Sequence, residues 1–599
     1  MFRKISEHLY VFDDTCQVYA VKGKRGAVLI DFGSGEVLEH LPEIGAECVE
    51  AVLLTHHHRD QAQGLLKAWE KKIPIYVPHA ERELIEGADF MWQSREIYNN
   101  YNNRQDRFSV LNSVPVTDTL KDYATVTFGD VAFCVLPTPG HTTGAVTLET
   151  TADGKKVAFT GDLIYGKGKV WSLAATQWTY NGGEGIAHSI LSLLYLKERN
   201  IDLFLPSHGN PMEPKEAVDP TVERLAELRT VRKQNPRLFS LRKEPYQKVT
   251  EHVLFNRTSM CDSYVLVSES GKALVIDLGY DFMAGVAAGT DRSSRRPWLY
   301  TIPALFETYG VTKIDACICT HYHDDHVAGF NLLHDTYGAQ VWCAESFADI
   351  LEHPCKYDIP CLWYDPIPVD RRLPLNLPVR WEEYEIILHP FSGHTRYAVA
   401  IEFVADGKKF LCTGDQYADD DGLFCNYVYK NRFDYDDFVN SAALICSIRP
   451  DHILTGHWQY RDRDEAYYEK LAQIGDTVQR LHRELLPLEE IAFGPEGFCA
   501  GMSPYQAEVL KGERFTADIQ VINPLPHRAK IQVRLVLPAG FWAEDAGKFV
   551  WEADARESCH RRVTIQAAKE EVRRARIGCD VTADDRKLGE QAEMLVTVR

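Results

Sequence analysis

Two stretches of the chain begin with the same pattern of apolar positions. L-Y-V-F-D-D-T-C-Q-V-Y-A-V (9–21) and A-V-L-I-D-F-G (27–33) alternate with a period of two, which is typical of β-strands, and the second stretch ends in Asp followed by a Gly turn. V-L-F-N-R-T-S-M-C-D-S-Y-V-L-V (253–267) and A-L-V-I-D-L-G (273–279) repeat this pattern. The repetition predicts two related units in one chain.

Later segments of the two units match in the same order. The matched pairs are A-V-L-L-T-H-H-H with A-C-I-C-T-H-Y-H, P-T-P-G-H-T-T-G with P-F-S-G-H-T-R-Y, V-A-F-T-G-D with F-L-C-T-G-D, and L-F-L-P-S-H-G with H-I-L-T-G-H-W. The spacing between matched residues drifts along the chain, as loop insertions and deletions would produce. One insertion in the second unit is visible at A-G-T-D-R-S-S-R-R-P (288–297), which is polar and rich in turn residues.

The chain changes character after about residue 490. F-T-A-D-I-Q-V-I-N-P (515–524) and A-K-I-Q-V-R-L-V-L-P (529–538) alternate with a period of two, and no strong helical pattern follows. The pattern predicts an all-β sandwich that resembles immunoglobulin-like modules. We therefore expect an α/β first unit at residues 1–235, an α/β second unit at 245–485, and a β-sandwich domain at 490–599.

Composition and charge restrict the classes of binding partner that we expect. Of 599 residues, 45% are hydrophobic and 25% charged, and the net charge of −20 argues against non-specific binding to nucleic acid. No apolar run approaches about 18 residues, so we expect no transmembrane helix, no signal peptide and no membrane partner. The odd count of 15 cysteines favours reduced thiols in a cytoplasmic protein. The expected partner is a small-molecule substrate, and no oligomeric state is indicated.

The second unit carries a set of side chains suited to metal ions. All follow expected strands, where active sites of layered α/β folds collect, and they are His321, His323, Asp325, His326, His394, Asp415 and His457. Five His and two Asp are too many for one tetrahedral ion, but they suit two ions that share a bridging carboxylate. Imidazole and carboxylate together suit zinc, iron or manganese.

The first unit matches all but one of these positions. Its candidate ligands are His56, His58, Asp60, His141, Asp162 and His208. Gln61 stands where the second unit has His326. An amide oxygen is a weaker ligand than imidazole, so a second ion is expected to bind weakly there or not at all. His57 and Arg59 occupy variable positions of the motif and are expected to be supporting or surface groups.

These motifs resemble the metallo-β-lactamase superfamily, which includes glyoxalase II-type thioesterases, lactonases and phosphodiesterases. The resemblance covers roughly residues 1–230 and 245–475, and it implies an αββα sandwich for each unit. It also implies that three His bind one ion, that Asp, His and His bind the other, and that a second Asp bridges. In the second unit, the implied ligands are His321, His323 and His394 for the first ion and Asp325, His326 and His457 for the second ion, with Asp415 bridging. In the first unit, they are His56, His58 and His141 for the first ion and Asp60 and His208 for the second ion, with Asp162 bridging.

The expected activity is hydrolysis of an ester, thioester, lactone or amide by a metal-bound hydroxide, with Asp325 and Asp60 as proton carriers. The expected cofactor is Zn²⁺, two ions in the second unit and one or two in the first, with iron or manganese possible. Two alternatives remain open. One is an iron-dependent redox enzyme, similar to the sulfur dioxygenases of the superfamily, with a mononuclear site in the first unit. The other is a non-catalytic scaffold with a degenerate first unit.

One polar loop of the second unit lies near the expected mouth of its site. In N-Y-V-Y-K-N-R (426–432), Tyr427, Lys430 and Arg432 are candidates for substrate contact. An ordinary solvated loop is the favoured interpretation, because nothing in the local pattern requires a ligand.

Overall fold

The computed structural model of the chain describes residues 1–95, 108–178, 185–232, 235–281, 292–419, 422–458, 461–462 and 465–599. Within these ranges, no helix combines the length and the apolar character that a bilayer crossing requires. All 15 cysteines are free thiols.

The first seven strands form one sheet in sequence order. They are β1 (Phe2–Lys4), β2 (Leu9–Asp13), β3 (Gln17–Lys22), β4 (Ala27–Ile30), β5 (Val49–Leu53), β6 (Ile75–Pro78) and β7 (Asp118–Leu120). Strands β1 to β4 pair antiparallel, and β4 to β7 pair parallel. The parallel connections contain α1 (Val37–His40), α2 (Arg59–Ala62), α3 (Leu65–Glu70), α4 (Arg82–Glu86) and α5 (Ala88–Ser94).

A second sheet follows, with the order β12-β11-β10-β9-β8. Its strands are β8 (Thr125–Phe128), β9 (Val131–Pro137), β10 (Val146–Ala152), β11 (Lys155–Gly161) and β12 (Leu203–Pro206). α6 (Gly185–Glu198) lies in the parallel connection from β11 to β12. α7 (Pro214–Val231) and α8 (Leu238–Lys243) come next in the chain.

The alternation in β3 shows how the layers form. Val18 and Ala20 lie in a core with residues of α1, α3 and α4, whereas Tyr19 and Val21 lie in a core with residues of the second sheet. The opposite face of the second sheet is buried against α6 and α7. Because successive side chains of a strand point to opposite faces, one sheet serves two cores, and the layers run helix, sheet, sheet, helix.

Residues 246–485 repeat this organisation. A seven-stranded sheet has the order β13 to β19, and a six-stranded sheet has the order β20-β21-β22-β23-β26-β27, with β24 and β25 paired separately. The strands are β13 (Tyr246–Lys248), β14 (Val253–Asn256), β15 (Ser263–Val267), β16 (Lys272–Ile276), β17 (Lys313–Ile318), β18 (Gln340–Ala344), β19 (Arg371–Leu373), β20 (Pro378–Trp381), β21 (Tyr384–Pro390), β22 (Val399–Ala405), β23 (Lys408–Gly414), β24 (Tyr417–Ala418), β25 (Phe424–Cys425), β26 (His452–Thr455) and β27 (Arg461–Asp462).

Helices cover these sheets as well. They are α9 (Ile302–Thr308), α10 (Asp324–Val327), α11 (Phe330–Tyr337), α12 (Ala348–Glu352), α13 (Asp437–Ile448) and α14 (Glu465–Leu485). Leu411 and Ile453 of the six-stranded sheet pack against Ile445 of α13 and Leu471 of α14. The predicted α/β class is therefore confirmed for this part of the chain.

The C-terminal region is all-β, as predicted. Its sheets have the orders β28-β30-β34-β32 and β29-β36-β35-β31-β33 and enclose one apolar core. The strands are β28 (Ala500–Ser503), β29 (Gln506–Val509), β30 (Arg514–Ile522), β31 (Ala529–Val536), β32 (Trp542–Ala543), β33 (Lys548–Ala553), β34 (Ser558–Gln566), β35 (Val572–Ala583) and β36 (Arg586–Val598). The immunoglobulin-like resemblance stays a prediction.

Candidate metal centres

The candidate ligands lie where strands end. β5 and α2 frame the loop that carries His56 and His58, and β17 and α10 frame the loop that carries His321 and His323. Asp60 lies in α2, and Asp325 and His326 lie in α10. The remaining ligands follow the ends of strands in the second sheet of each unit. Loops at strand ends converge at one edge of layered sheets, which brings residues distant in sequence together.

Glycines let the two sheets approach at this edge. Gly161 and Gly414 precede the two Asp residues expected to bridge, and their φ angles of +56° and +49° favour glycine. A Cβ at these positions would lie 2.9 Å from Thr55 Oγ1 and 2.7 Å from Thr320 Oγ1. Side chains here would therefore push the strand away from the His loop.

In the second unit the predicted ligands form two adjacent clusters. One cluster contains His321, His323 and His394, and the other contains Asp325, His326, Asp415 and His457. In each cluster, one potential ligand atom per residue lies within 4.8 Å of the others.

Asp415 lies between the two clusters. Its Oδ2 atom is 3.6 Å from His394 Nε2 and 3.1 Å from His457 Nε2. Its Oδ1 atom is 3.2 Å from His326 Nε2. Contacts from one carboxylate to both clusters are the geometry expected of a bridging ligand.

A buried carboxylate that we did not predict supports this centre. Asp277, at the Asp-Leu-Gly turn after β16, accepts hydrogen bonds from the backbone and hydroxyl of Thr320 and contacts His326 Nδ1 at 3.0 Å. Thr320 Oγ1 lies 3.1 Å from His321 Nδ1. Such partners fix the ring orientation of metal-binding histidines, so that the other nitrogen faces the ion. The sequence feature that could have revealed Asp277 is the Asp that both units place at the end of this strand, before the Gly turn.

The two clusters differ in charge. Burial lowers the pKa of His321 well below its usual value and that of His323 to about 3, so both rings are neutral and keep a lone pair for a metal. Burial also opposes protonation of His457, but Asp415 and Asp325 outweigh it and raise the pKa of His457 to about 10. The second cluster therefore favours a positive charge.

Several buried atoms of this centre have no hydrogen-bond partner in the described parts of the chain. They include His321 Nε2, His326 Nε2 and Asp415 Oδ1. His326 Nε2 and Asp415 Oδ1 lie 3.2 Å apart but outside hydrogen-bond geometry, as expected of two ligands that point towards a common ion. Because buried polar atoms are rarely left unpaired, the residues present fit divalent ions with nitrogen and oxygen ligands.

The first unit brings its predicted ligands together in the same way. One cluster contains His56, His58 and His141, and the other contains Asp60, Asp162 and His208. Asp162 Oδ2 lies 3.6 Å from His56 Nε2 and 3.4 Å from His141 Nε2, and Asp162 Oδ1 lies 2.7 Å from His208 Nδ1. Asp162 thus takes the place that Asp415 has in the second unit.

Gln61 is turned so that its amide nitrogen meets the carboxylates. Its Nε2 atom donates to Asp162 Oδ2 at 3.2 Å and lies 3.4 Å from Asp60 Oδ2. Its Oε1 atom is buried without a hydrogen-bond partner among the described residues. An amide N–H is a donor and not a ligand, so in this orientation Gln61 contributes nothing to a second ion.

The change at position 61 is accompanied by a second change nearby. Asp31, the counterpart of Asp277, cannot receive an imidazole N–H from Gln61, and it accepts the Ser207 hydroxyl at 2.5 Å instead. The second unit has Gly456 at that position, where a Cβ would lie 1.9 Å from Asp415 Oδ1 and 3.0 Å from His326 Cε1. Serine therefore suits the unit without the histidine, and glycine suits the unit that has it.

His57 proves to be a buried supporting group. Its backbone N–H donates to Glu81 Oε2 at 2.7 Å, and its Nδ1 atom lies 3.1 Å from the same oxygen. Glu81 Oε1 accepts the backbone N–H of Gly144 at 3.1 Å. Burial opposes ionisation of Glu81, but His57 outweighs it and lowers the Glu81 pKa to about 2. The carboxylate thus joins the His56–His58 loop to the loop that carries His141.

The loop that carries His141 is also held by the second unit. Arg296, from the predicted insertion, pairs with Asp122 through two nitrogens at 2.8 and 2.5 Å. It also donates to the backbone carbonyls of Thr143 and Ala145 at 3.1 and 3.0 Å. The polar, turn-rich composition of the insertion gave no sign that this guanidinium is buried against the loop that carries His141. The sequence could not reveal this, because its partners lie more than 150 residues away.

Replacing Arg296 with Met is expected to lower the free energy of unfolding by about 3 kcal/mol, because it leaves a largely buried Asp122 carboxylate unpaired. The first unit should also retain less metal, since its His141 loop loses two hydrogen bonds. Urea denaturation and elemental analysis would measure both effects. Arg480→Met, at an exposed ion pair of α14, is the control. Unchanged stability and metal content would contradict the role given to Arg296.

A sequence-family comparison agrees with this geometry. The model of the metallo-beta-lactamase superfamily matches residues 11–208 and 256–420, which together make up more than half of the chain. The chain therefore belongs to the metallo-beta-lactamase superfamily. By family and by its buried His clusters it is a hydrolase of that superfamily, as predicted.

Individual relatives are distant. A hydroxyacylglutathione hydrolase of Mesorhizobium japonicum is 30% identical over 118 residues, which are 20% of this chain and 34% of the relative. The chain thus matches about a third of that protein's length. The subclass B3 metallo-beta-lactamase BJP-1 of Bradyrhizobium japonicum is 20% identical, with 40% of this chain and 95% of that chain covered and a TM-score of 0.29. GOB-18 of Elizabethkingia meningoseptica is 18% identical, with 41% and 93% covered and a TM-score of 0.28.

Proposed function

We propose that the protein is a metal-dependent hydrolase of an ester, thioester, lactone or amide, and that the second unit is its main catalyst. The observation that carries this is Asp415, which contacts both clusters of a ligand set with all seven predicted positions. The repeated sheet order and the matched ligands support two tandem metallo-β-lactamase units.

In the second unit, His321, His323 and His394 would hold one ion and Asp325, His326 and His457 the other, with Asp415 between them. Divalent ions such as zinc would supply Lewis acidity there, which lowers the pKa of water and polarises a substrate oxygen. The side chains of Asp325 and His457 are 18% and 24% exposed, whereas His321 and His326 are buried. The side of the centre that carries Asp325 and His457 is therefore the more open one.

Asp325 is also placed to hold a proton during the reaction. Its Oδ2 atom lies 3.1 Å from His457 Nε2, and its side chain is partly exposed. A carboxylate at this position can accept a proton from an attacking water and return it to a leaving group. Asp60 has the matching place in the first unit, with its Oδ2 atom 3.4 Å from His208 Nε2.

Thioesters are the first bond class to test, because the Mesorhizobium relative is named for one. We expect the zinc-loaded protein to hydrolyse S-lactoylglutathione or another member of a panel of esters, lactones and β-lactams. His323→Ala should abolish the activity and remove metal, whereas His58→Ala should leave most of the activity. A protein that binds metal but hydrolyses no member of the panel would contradict the proposal.

A second candidate function is an iron-dependent redox reaction in the first unit. The orientation of Gln61 favours it, because a donor amide beside Asp60 and Asp162 leaves a complete ligand set for one ion only. Oxygen consumption by the iron-loaded His323→Ala variant would support this function. Zinc in both units without oxygen uptake would exclude it.

A further inference from the structure

A cavity of about 750 Å³ lies between the second unit and the C-terminal β region. One wall comes from the second unit and includes Arg396, Lys430 and Arg432; the other includes Phe498 and Ile522. This volume falls within the usual range for small-molecule sites. Both apolar side chains are substantially exposed. The second unit and the C-terminal region are joined where Tyr505 N–H donates to the Lys356 carbonyl at 3.1 Å.

This cavity adjoins the second metal centre. Asn431 lies between the two cavity residues Lys430 and Arg432, and its Nδ2 atom donates to the His394 carbonyl at 2.9 Å. Asn431 Oδ1 lies 3.4 Å from His323 Nε2. Because consecutive Cα atoms are only about 3.8 Å apart, the short segment that lines the cavity also contacts the ligand cluster, through Asn431.

Most of the charged groups around the cavity are paired with one another. Lys430 is paired with Asp358 at 2.8 Å, and Arg576 is paired with Glu590 and Glu593. Arg396 and Arg432 face the cavity opposite one largely buried carboxyl group, that of Glu496. The four cations and four carboxyl groups of the whole lining therefore balance, but the carboxyl groups other than Glu496 are already engaged by Lys430 and Arg576.

Among these charged groups, Arg432 is the most available for binding a ligand. Within the described residues it makes no ion pair, and the nearest carboxylate to Arg396 is Asp434 at 4.0 Å. The backbone of Arg432 is left-handed, with a φ of +58°, which is uncommon for a residue with a long side chain. Strained conformations of this kind concentrate at binding sites, where they aim a side chain.

We propose that this cavity is the substrate-recognition site of the second metal centre and that Arg432, with Arg396, binds a carboxylate on the substrate. The planar guanidinium group matches a carboxylate through two parallel hydrogen bonds. The C-terminal region supplies the opposite, partly apolar wall. The substrate class is then a carboxylate-bearing ester, thioester or amide. The inference rests on the proposed hydrolase function and adds the substrate class and a role for the C-terminal region.

A matched pair of thioesters tests the proposal. The adipoyl and hexanoyl thioesters of N-acetylcysteamine share one reacting bond and differ in a terminal carboxylate. In the zinc-loaded protein, kcat/KM should favour the adipoyl thioester. Arg432→Gln should lower kcat/KM for the adipoyl thioester about tenfold and leave the hexanoyl thioester within about twofold, as one lost charged contact predicts. Arg480→Gln is the control for charge. An equal loss for both thioesters, or no preference in the wild type, would overturn the proposal.

The opposite wall is tested by Ile522, which lines the cavity. Ile522→Asp should selectively lower kcat/KM for the adipoyl thioester by repulsion, whereas Ile522→Asn should not. If the wild type hydrolyses neither thioester, isothermal titration with adipate separates the two proposals. Binding that Arg432→Gln abolishes would keep the recognition site and reject hydrolysis of these thioesters, and absence of binding would reject the site.

Discussion

Replacing Asp415 with Asn is expected to reduce hydrolysis about a thousandfold, because paired ions contribute several kcal/mol to catalysis and each 1.4 kcal/mol is about a factor of ten in rate. The Asp415 side chain contacts both ligand clusters, so the neutral amide weakens two ion sites at once. The size of the substituted side chain is nearly unchanged, which separates loss of charge from loss of packing.

Steady-state kinetics and elemental analysis would measure this effect together. Asp476→Asn, on the exposed face of α14, is the control for a charge change elsewhere. The matched variant Asp162→Asn should cost much less activity, because the second unit is the main catalyst. If Asp162→Asn abolishes hydrolysis and Asp415→Asn does not, the main catalyst is the first unit.

Combining Gln61→His with Ser207→Gly is expected to raise the ion content of the first unit from one to two. In an Asp415→Asn, His323→Ala background, which removes the second centre, the ions of the first unit can be counted directly. Gln61→His alone should gain less. The Ser207 side chain occupies the place in the first unit that Gly456 leaves free beside His326 in the second unit. The Ser207 hydroxyl also remains hydrogen-bonded to Asp31.

The reciprocal change in the second unit is the internal control. His326→Gln with Gly456→Ser should lose one ion and retain the other. If the first unit already holds two ions with Gln61 in place, then Gln61 is a tolerated ligand or a bystander.

The strands and the ligand set were predictable because their signals are local. Alternation with a period of two marked β3, β4 and their counterparts, and each His cluster directly follows a buried strand. The repeat added a second test of most positions, since every ligand of the second unit except His326 had a candidate at the matching place. Asp31 and Asp277 were visible as the ends of strands, but nothing local showed that they orient ligands.

Other features depend on contacts between distant parts of the chain. The Ser207 hydroxyl meets Asp31 across 176 positions, and Arg296 reaches the His141 loop across more than 150. The polar composition around Arg296 gave no sign of burial, because a charged residue is usually exposed unless a partner is present. Its partners, Asp122 and two backbone carbonyls, are brought beside it only by the packing of the two units.

The sequence by itself determined the α/β and all-β organisation and the identity of the candidate ligands, since both are encoded in short patterns. The tertiary structure decided which groups support those ligands, how Gln61 is oriented, and where the C-terminal region meets the second unit. The physical reason is that hydrogen bonds and ion pairs require atoms within a few ångströms, and only the packed chain sets those distances. The carboxylate-binding role of the cavity at Arg432 is therefore a hypothesis that the structure makes possible.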